Sequence, residues 1–335
     1  MRLVLGAAGM VLAGVLAAVQ LVGPAAPDRS PLHPGETAKV ERHLETLQRI
    51  ADDNDGTRAA GTSGYAASME YVVRVLERAG YHPRVQEFRF RTDSGSPVTS
   101  WNVLAETPGG DPHHVVMAGA HLDSIPGGPG IDDNGTGASA LLATAQEMAS
   151  AEPPNKVRFA WWGAEELGLQ GSTYYVDDLA AKDPRAVRDI AVYLNIDMVG
   201  SSNHVNLVYD GDNSRFPAGA DALPGPHGSG AVEKVLRGWF AERSLPVEES
   251  PLDGRSDYRA FLTHGVPVGG LFTGAEQLKT EKEAARFGGE PFAPYEPCYH
   301  RSCDDLGQLD MGTVGEMSAA LTYGVERLAG LTPRP

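Results

Sequence analysis

Histidine and carboxylate side chains recur at the ends of short apolar runs in this 335-residue sequence. His121-Leu122-Asp123 closes the run from His114 to Ala120, Glu165-Glu166 follows the run from Val157 to Gly163, and Asp197 falls within Ala191 to Val199. Between the first two runs stands Gly130-Ile131-Asp132-Asp133-Asn134-Gly135, an acidic turn bounded by glycine, and far downstream come Tyr299 and His300. Imidazole nitrogen and carboxylate oxygen are the donors that hold a hydrolytic metal while leaving a position for water. Taken singly, His121 reads as a packed strand residue, Glu165-Glu166 as a solvated helix start and Asp197 as a turn cap. Their company changes that reading: three separated runs each deliver metal-type ligands.

The runs themselves are apolar almost throughout, as in strands buried on both faces. Helix-like stretches, Ala138 to Ala149 and Gly168 to Ala181, alternate with them. This alternation predicts an α/β fold, a single domain with a central mixed, mainly parallel sheet flanked by helices on both faces. Such sheets bind ligands beyond the carboxyl ends of their strands, where the acids and His121 fall. Upstream, Val40, Leu44, Leu47 and Ile50 follow a helical period. A second helix opens at Thr62 or Ser63, turns Met69, Val72, Val73 and Leu76 to one face, and stops at Gly80. Phe88 and Phe90 mark a half-buried strand. Ala231 to Arg243 reads as a helix, Val266 to Phe272 as a strand and Thr313 to Leu331 as a closing helix. With no internal repeat, residues 37–332 are expected to form one domain.

The charge balance narrows the partners. The chain carries 28 Lys plus Arg against 44 Asp plus Glu, a formal charge of -16, which excludes a nucleic-acid partner needing clustered positive charge. No Lys or Arg occurs from Thr92 to Asn155, where eight acids fall, a basin suited to metal cations or an amine. Arg2, the uncharged run Leu3 to Gly23 and Pro24-Ala25-Ala26-Pro27 read as a secretory signal peptide over residues 1–26, with an uncleaved membrane anchor as the alternative. Residues 27–36 are Pro-rich and read as a linker. Cys298 and Cys303 are the only cysteines, and in an exported chain they read as a small-loop disulfide. His113, His114, His204, His227 and His264 are expected on the surface or in loops, and Trp161 and Trp162 in the core. Arg255 with Asp257 is open to reading as a surface ion pair.

Several segments together resemble the secreted bacterial di-zinc aminopeptidases: Ala118 to Ser124, Gly130 to Gly137, Phe159 to Gly168, Asn195 to Gly200, Gly254 to Asp257, Gly265 to Gly274 and Cys298 to Cys303. The likeness runs over about residues 40 to 330, with the motifs in the family's order. It implies two Zn2+ per chain, one held by His121, Asp133 and Asp197, the other by Asp133, Glu166 and His300. Asp132 is the rival bridge; the family pattern places the bridge directly before Asn. Glu165 is implied as general base, which needs a carboxylate near the water but outside the metal shell. Asp123 would orient the His121 imidazole, Tyr299 would donate to the developing oxyanion, and Arg255 would lie near the substrate's α-amine and carbonyl.

The implied activity is a zinc-dependent aminopeptidase that removes the N-terminal residue, large and apolar as in Leu, from peptides or proteins. The enzyme is expected to be a secreted monomer without a stable membrane span. Rival readings are a glutaminyl cyclase or carboxypeptidase-like hydrolase on the same fold, or a binding module that kept the scaffold. Departures from the pattern are Tyr258 after Gly-Arg-Ser-Asp, where the family often has His, and a Phe90 to Trp101 stretch too short for an inserted domain. Asp304, Asp305 and Asp310 could be compared with a calcium site of some relatives, but calcium is not assigned.

Overall fold

Side chains alternate across the strands of one eight-stranded sheet, and that alternation dictates two cores. The strands are β1 (Arg84–Arg91), β2 (Pro97–Glu106), β3 (Asp111–His121), β4 (Asn155–Trp162), β5 (Ile190–Ile196), β6 (Leu207–Tyr209), β7 (Glu248–Ser250) and β8 (Val268–Phe272), in the order β1-β2-β4-β3-β5-β8-β6-β7. The structure is a computed structural model and describes residues 34–332. In β4, Val157, Phe159 and Trp161 face one core while Ala160 and Trp162 face the other; in β5, Val192, Leu194 and Ile196 oppose Tyr193. A period of two on a strand apolar at every position requires cover on both sides.

The larger core is closed by α1 (Pro34–Asp52), α2 (Ser63–Ala79), α3 (Gly137–Met148), α6 (Ser229–Glu242) and α9 (Met311–Leu328). The smaller is closed by α4 (Gln170–Lys182), α5 (Pro184–Arg188) and α7 (Tyr258–Thr263), with Tyr175, Val187 and Phe261 pointing inward. A peripheral helix, α8 (Glu281–Phe287), carries a complete capping box from Thr280 and Glu283. Thr62 caps α2 by accepting from the Tyr65 N–H, and Gly80 ends it in the left-handed conformation, as the polar-cap and glycine-stop signals predict. Trp161 and Trp162 are fully buried.

The α/β fold with a mixed sheet agrees with the expectation. Pairings β3–β4, β3–β5, β5–β8 and β6–β7 are parallel, while β1–β2, β2–β4 and β6–β8 are antiparallel. The short elements β6, β7, α5, α7 and α8 are too brief to show a period, and β2 was not anticipated. α1 begins at Pro34, so the last three positions of the stretch read as linker, 27–36, are helical. The remainder of that stretch and the expected signal peptide lie outside the described residues. Among the described residues no helix is long and apolar enough to cross a membrane.

Candidate metal centre

Parallel register brings the chemistry to one edge. β3 and β4 end together, with His121 opposite Trp162, and Gly119 of β3 pairs with Asn195 of β5. His121 is therefore the last residue of its strand, Asp197 follows β5 immediately, and Glu165-Glu166 leave β4 through a tight turn. Ala164, Met198 and His300 all hold positive φ, at 59°, 45° and 56°. Left-handed backbone at non-glycine residues is costly and concentrates at functional sites; here each lies at or beside a predicted site residue.

The structure brings the five predicted ligand residues together. His121 Nε2 lies 3.2 Å from both Asp133 Oδ1 and Asp197 Oδ1, and His300 Nε2 lies 3.1 Å from both Asp133 Oδ2 and Glu166 Oε2. Asp133 thus offers one oxygen to each histidine. Two donor groups share it, His121–Asp133–Asp197 and Asp133–Glu166–His300, and within each the ligand atoms lie within 4.8 Å of one another. Asp132 points elsewhere: Oδ1 accepts the Gly200 N–H at 2.9 Å and Oδ2 the Ser201 hydroxyl at 3.0 Å. Its place is structural.

The surroundings fix these side chains. His121 Nδ1 meets the Asp123 carbonyl oxygen at 3.1 Å; a carbonyl can only accept, so Nδ1 carries a proton and Nε2, turned to the carboxylates, is the nitrogen a metal would take. The Asp123 carboxylate lies 3.8 Å from Nδ1 and instead accepts the backbone N–H of Glu165 at 3.1 Å and, more loosely, Glu166 at 3.4 Å. Asp123 thus orients the imidazole through its main chain and the Glu165-Glu166 turn through its side chain. Asp197 Oδ2 accepts the Ser256 hydroxyl at 2.6 Å, and Ser256 accepts from Asn195 at 2.8 Å.

Burial shapes the electrostatics. It pushes the Glu165 carboxyl well above the usual range, only partly offset by the His121 imidazole. Glu166 is pushed up to about 7 by burial and the charge of Asp133. Burial pulls His300 down, but hydrogen bonds to Asp133 and Glu166 overcome it and raise the imidazole to about 10. So many acids around two histidines, with Glu166 Oε1 buried and without a hydrogen-bond partner, suit divalent cations better than protons alone.

The centre opens into a cavity of about 430 Å³, lined by Glu165, Met198, Tyr209, Phe272, Arg255 and Tyr299 among others. Tyr299 stacks on His300 with ring centroids 3.9 Å apart. Cys298 and Cys303 are joined in a disulfide that brackets both rings. Arg255 does not pair with Asp257. It makes a two-pronged contact to Glu276, at 2.6 and 3.3 Å, and donates to the Tyr299 hydroxyl at 3.3 Å. Asp257, the residue before α7, is buried, 1% exposed, so the surface ion pair is not formed.

His113, His114, His227 and His264 are exposed. His204, expected on the surface or in a loop, lies in the loop before β6, where it is buried 3.6 Å from Asp310 at the start of α9. Two residues near the site went unassigned in the sequence. Arg58, fully buried, donates to the carbonyls of Leu122, Pro129 at 2.9 Å and Gly130 at 2.6 Å. Asp304 accepts the N–H groups of Asp132 and Asp133 at 2.6 and 3.0 Å. The positions of Arg58 in a glycine-flanked turn and of Asp304 directly after Cys303 were the available signals.

Comparison with known proteins places the chain in a family. The model of peptidase family M28 matches residues 102–325. Leupeptin-inactivating enzyme 1 of Streptomyces exfoliatus is 41% identical over 332 residues, covering 98% of this chain and 70% of the relative. An aminopeptidase of Pseudomonas aeruginosa is 48% identical over 224 residues, 67% of this chain, and the match spans only 40% of that relative. Among solved structures, a zinc aminopeptidase from Bacillus subtilis superposes with a TM-score of 0.68 at 18% identity, covering 86% of this chain and 95% of its own. A glutaminyl cyclase of Fimbriiglobus ruber gives 0.65 at 17%, covering 87% and 94%; both likenesses concern the fold. With a family model spanning β3 to β8, the donor groups and most of α9, this chain belongs to peptidase family M28, the metallo-aminopeptidase family that its motifs resemble.

Proposed function

We propose that the protein is a secreted zinc aminopeptidase that cleaves the first residue, large and apolar as in Leu, from peptide N-termini. The observation that carries this reading is Asp133, whose two oxygens face His121 and His300 separately beside a cavity that also holds Glu165. His121, Asp133 and Asp197 would hold one zinc, and Asp133, Glu166 and His300 the other. Zinc held by these residues would supply Lewis-acid polarisation of the scissile carbonyl and a water acidic enough to attack at neutral pH.

Glu165, outside both donor groups, takes the proton of the attacking water and returns it to the departing amine, a transfer suited to a carboxyl raised by burial. The Tyr299 hydroxyl donates to the oxygen that gains negative charge. Its own oxygen accepts from Arg255, which leaves the phenolic proton for substrate. Surplus carboxylate in the pocket favours a free ammonium over a peptide C-terminus. Met198, Tyr209 and Phe272 supply apolar wall for the first side chain. The disulfide Cys298–Cys303 supports an exported, oxidising location. The protein would act as a monomer.

The test is to incubate the zinc-loaded chain with a Leu-first peptide and follow products by mass spectrometry. Stepwise loss from the N-terminus is expected. Trimming from the other end, or ammonia loss from a Gln-first control, would reassign the reaction to a carboxypeptidase or cyclase; no change in any peptide would leave a binding module.

A further inference from the structure

Asp304 is 2% exposed and grips the acidic turn through three contacts. Its carboxylate oxygens accept the N–H groups of Asp132, at 2.6 Å, and Asp133, at 3.0 Å, one on each oxygen; its carbonyl accepts the Ile131 N–H at 3.1 Å. Three consecutive amides of the turn are therefore held by one residue. The same residue follows the Cys298–Cys303 loop, into which its own N–H donates at Arg301 O, 3.2 Å away. That loop carries His300. One side chain thus links the segment presenting Asp133 to the segment presenting His300.

We propose that Asp304 is a positioning residue for the second metal, setting Asp133 and His300 relative to each other before a cation arrives; this rests on the two-zinc reading. The two donor groups depend on it unequally. In the first, His121 is fixed by the Asp123 carbonyl and Asp197 by the Ser256 hydroxyl at 2.6 Å, so two of its three ligands need nothing from Asp304. In the second, the His300 side chain is 41% exposed and sits on a loop, and Asp133 is the ligand the turn delivers. Loosening the turn from the loop moves two of the three second-site ligands. Substitutions in the shell that orients metal ligands weaken affinity by roughly 10- to 100-fold.

The experiment titrates zinc alone into the metal-free full chain, wild type, Asp304→Asn and Asp304→Ala, against a chelator of known affinity. Wild type should take two zincs per chain. Asp304→Ala should weaken the second by roughly 10- to 100-fold with the first little changed, and Asp304→Asn, which keeps one accepting oxygen, should fall between. Hydrogen exchange at the Asp132 and Asp133 amides should speed up in the same order. If Asp304→Ala does not fold, Asp304→Asn carries the test. Equal weakening of both zincs, or wild-type affinity at both sites in a folded variant, overturns the role given to Asp304. A single zinc in wild type would instead overturn the two-zinc reading, independently of the variants.

Discussion

The carboxylate of Asp123 accepts the backbone N–H of Glu165 at 3.1 Å, across a chain separation of 42 positions. The contact joins the loop after β3 to the turn after β4 and holds the peptide that aims the Glu165 side chain. The His121 imidazole is held by the carbonyl of Asp123, which any residue at that position would supply. Asp123→Ala should therefore lower kcat by roughly 10- to 100-fold while zinc at the His121 group is retained. Steady-state kinetics with metal analysis on the same preparation checks this; a large loss of the first zinc with kcat per bound zinc unchanged would return the side chain to a role at His121.

Glu165→Gln keeps the shape of the side chain and removes its ability to take a proton. Since Glu165 stands outside both donor groups, zinc content should stay at the wild-type level while kcat falls by roughly 10²- to 10⁴-fold, the span of general acid–base contributions. KM should change little. Loss of zinc in proportion to activity would remove the proton-transfer role.

Much of this site was legible because its parts end strands. His121, Glu165, Glu166 and Asp197 follow apolar runs long enough to be recognised, and a parallel sheet aligns such ends in space. Residues acting through backbone contacts were not legible. Asp304 and Arg58 hold loops by bonding main-chain N–H and C=O groups, which leave no residue-type pattern. Asp257 was misplaced because α7 is six residues long, Tyr258–Thr263, too short to show the period that would have buried its first turn. The partner of Arg255 was missed for a related reason: Glu276 lies in a loop after β8, and loop contacts carry no spacing rule.

Tyr299 and Arg255 form one hydrogen-bonded unit with Glu276, so their substitutions should not add. Tyr299→Phe removes the proposed donor to the developing oxyanion and is expected to lower kcat by about 10²-fold with zinc binding intact. Arg255→Ala should lower kcat less on its own, and should cost little more on the Tyr299→Phe background. A double-mutant cycle in kcat measures this directly. Fully additive losses would mean that Arg255 contacts substrate independently of the phenol.

Asp257 couples the metal-free fold to pH. Its carboxylate is 1% exposed, and burial raises it from 3.8 to about 7, the nearby His121 imidazole and the Ser172 hydroxyl offsetting part of the rise. A carboxyl raised on folding keeps its proton in the folded chain between those two values while the unfolded chain has lost it. Folded protein then binds more protons, and stability falls as pH climbs from about 4 to about 7, levelling above. Asn at this position is neutral throughout, so metal-free Asp257→Asn should match wild type near pH 4 and exceed it at pH 8 by an amount on the order of a few kcal/mol. Glu166 and Asp304, raised to about 7 in the same direction, keep a slope in both proteins, and Glu165, which the Asp257 charge helps to raise, shifts with it, so the difference between the two curves reports Asp257 together with that coupling. Urea unfolding of chelator-treated protein across this pH range reads it; parallel curves would show that Asp257 is charged in the folded chain and neutralised by the imidazole beside it.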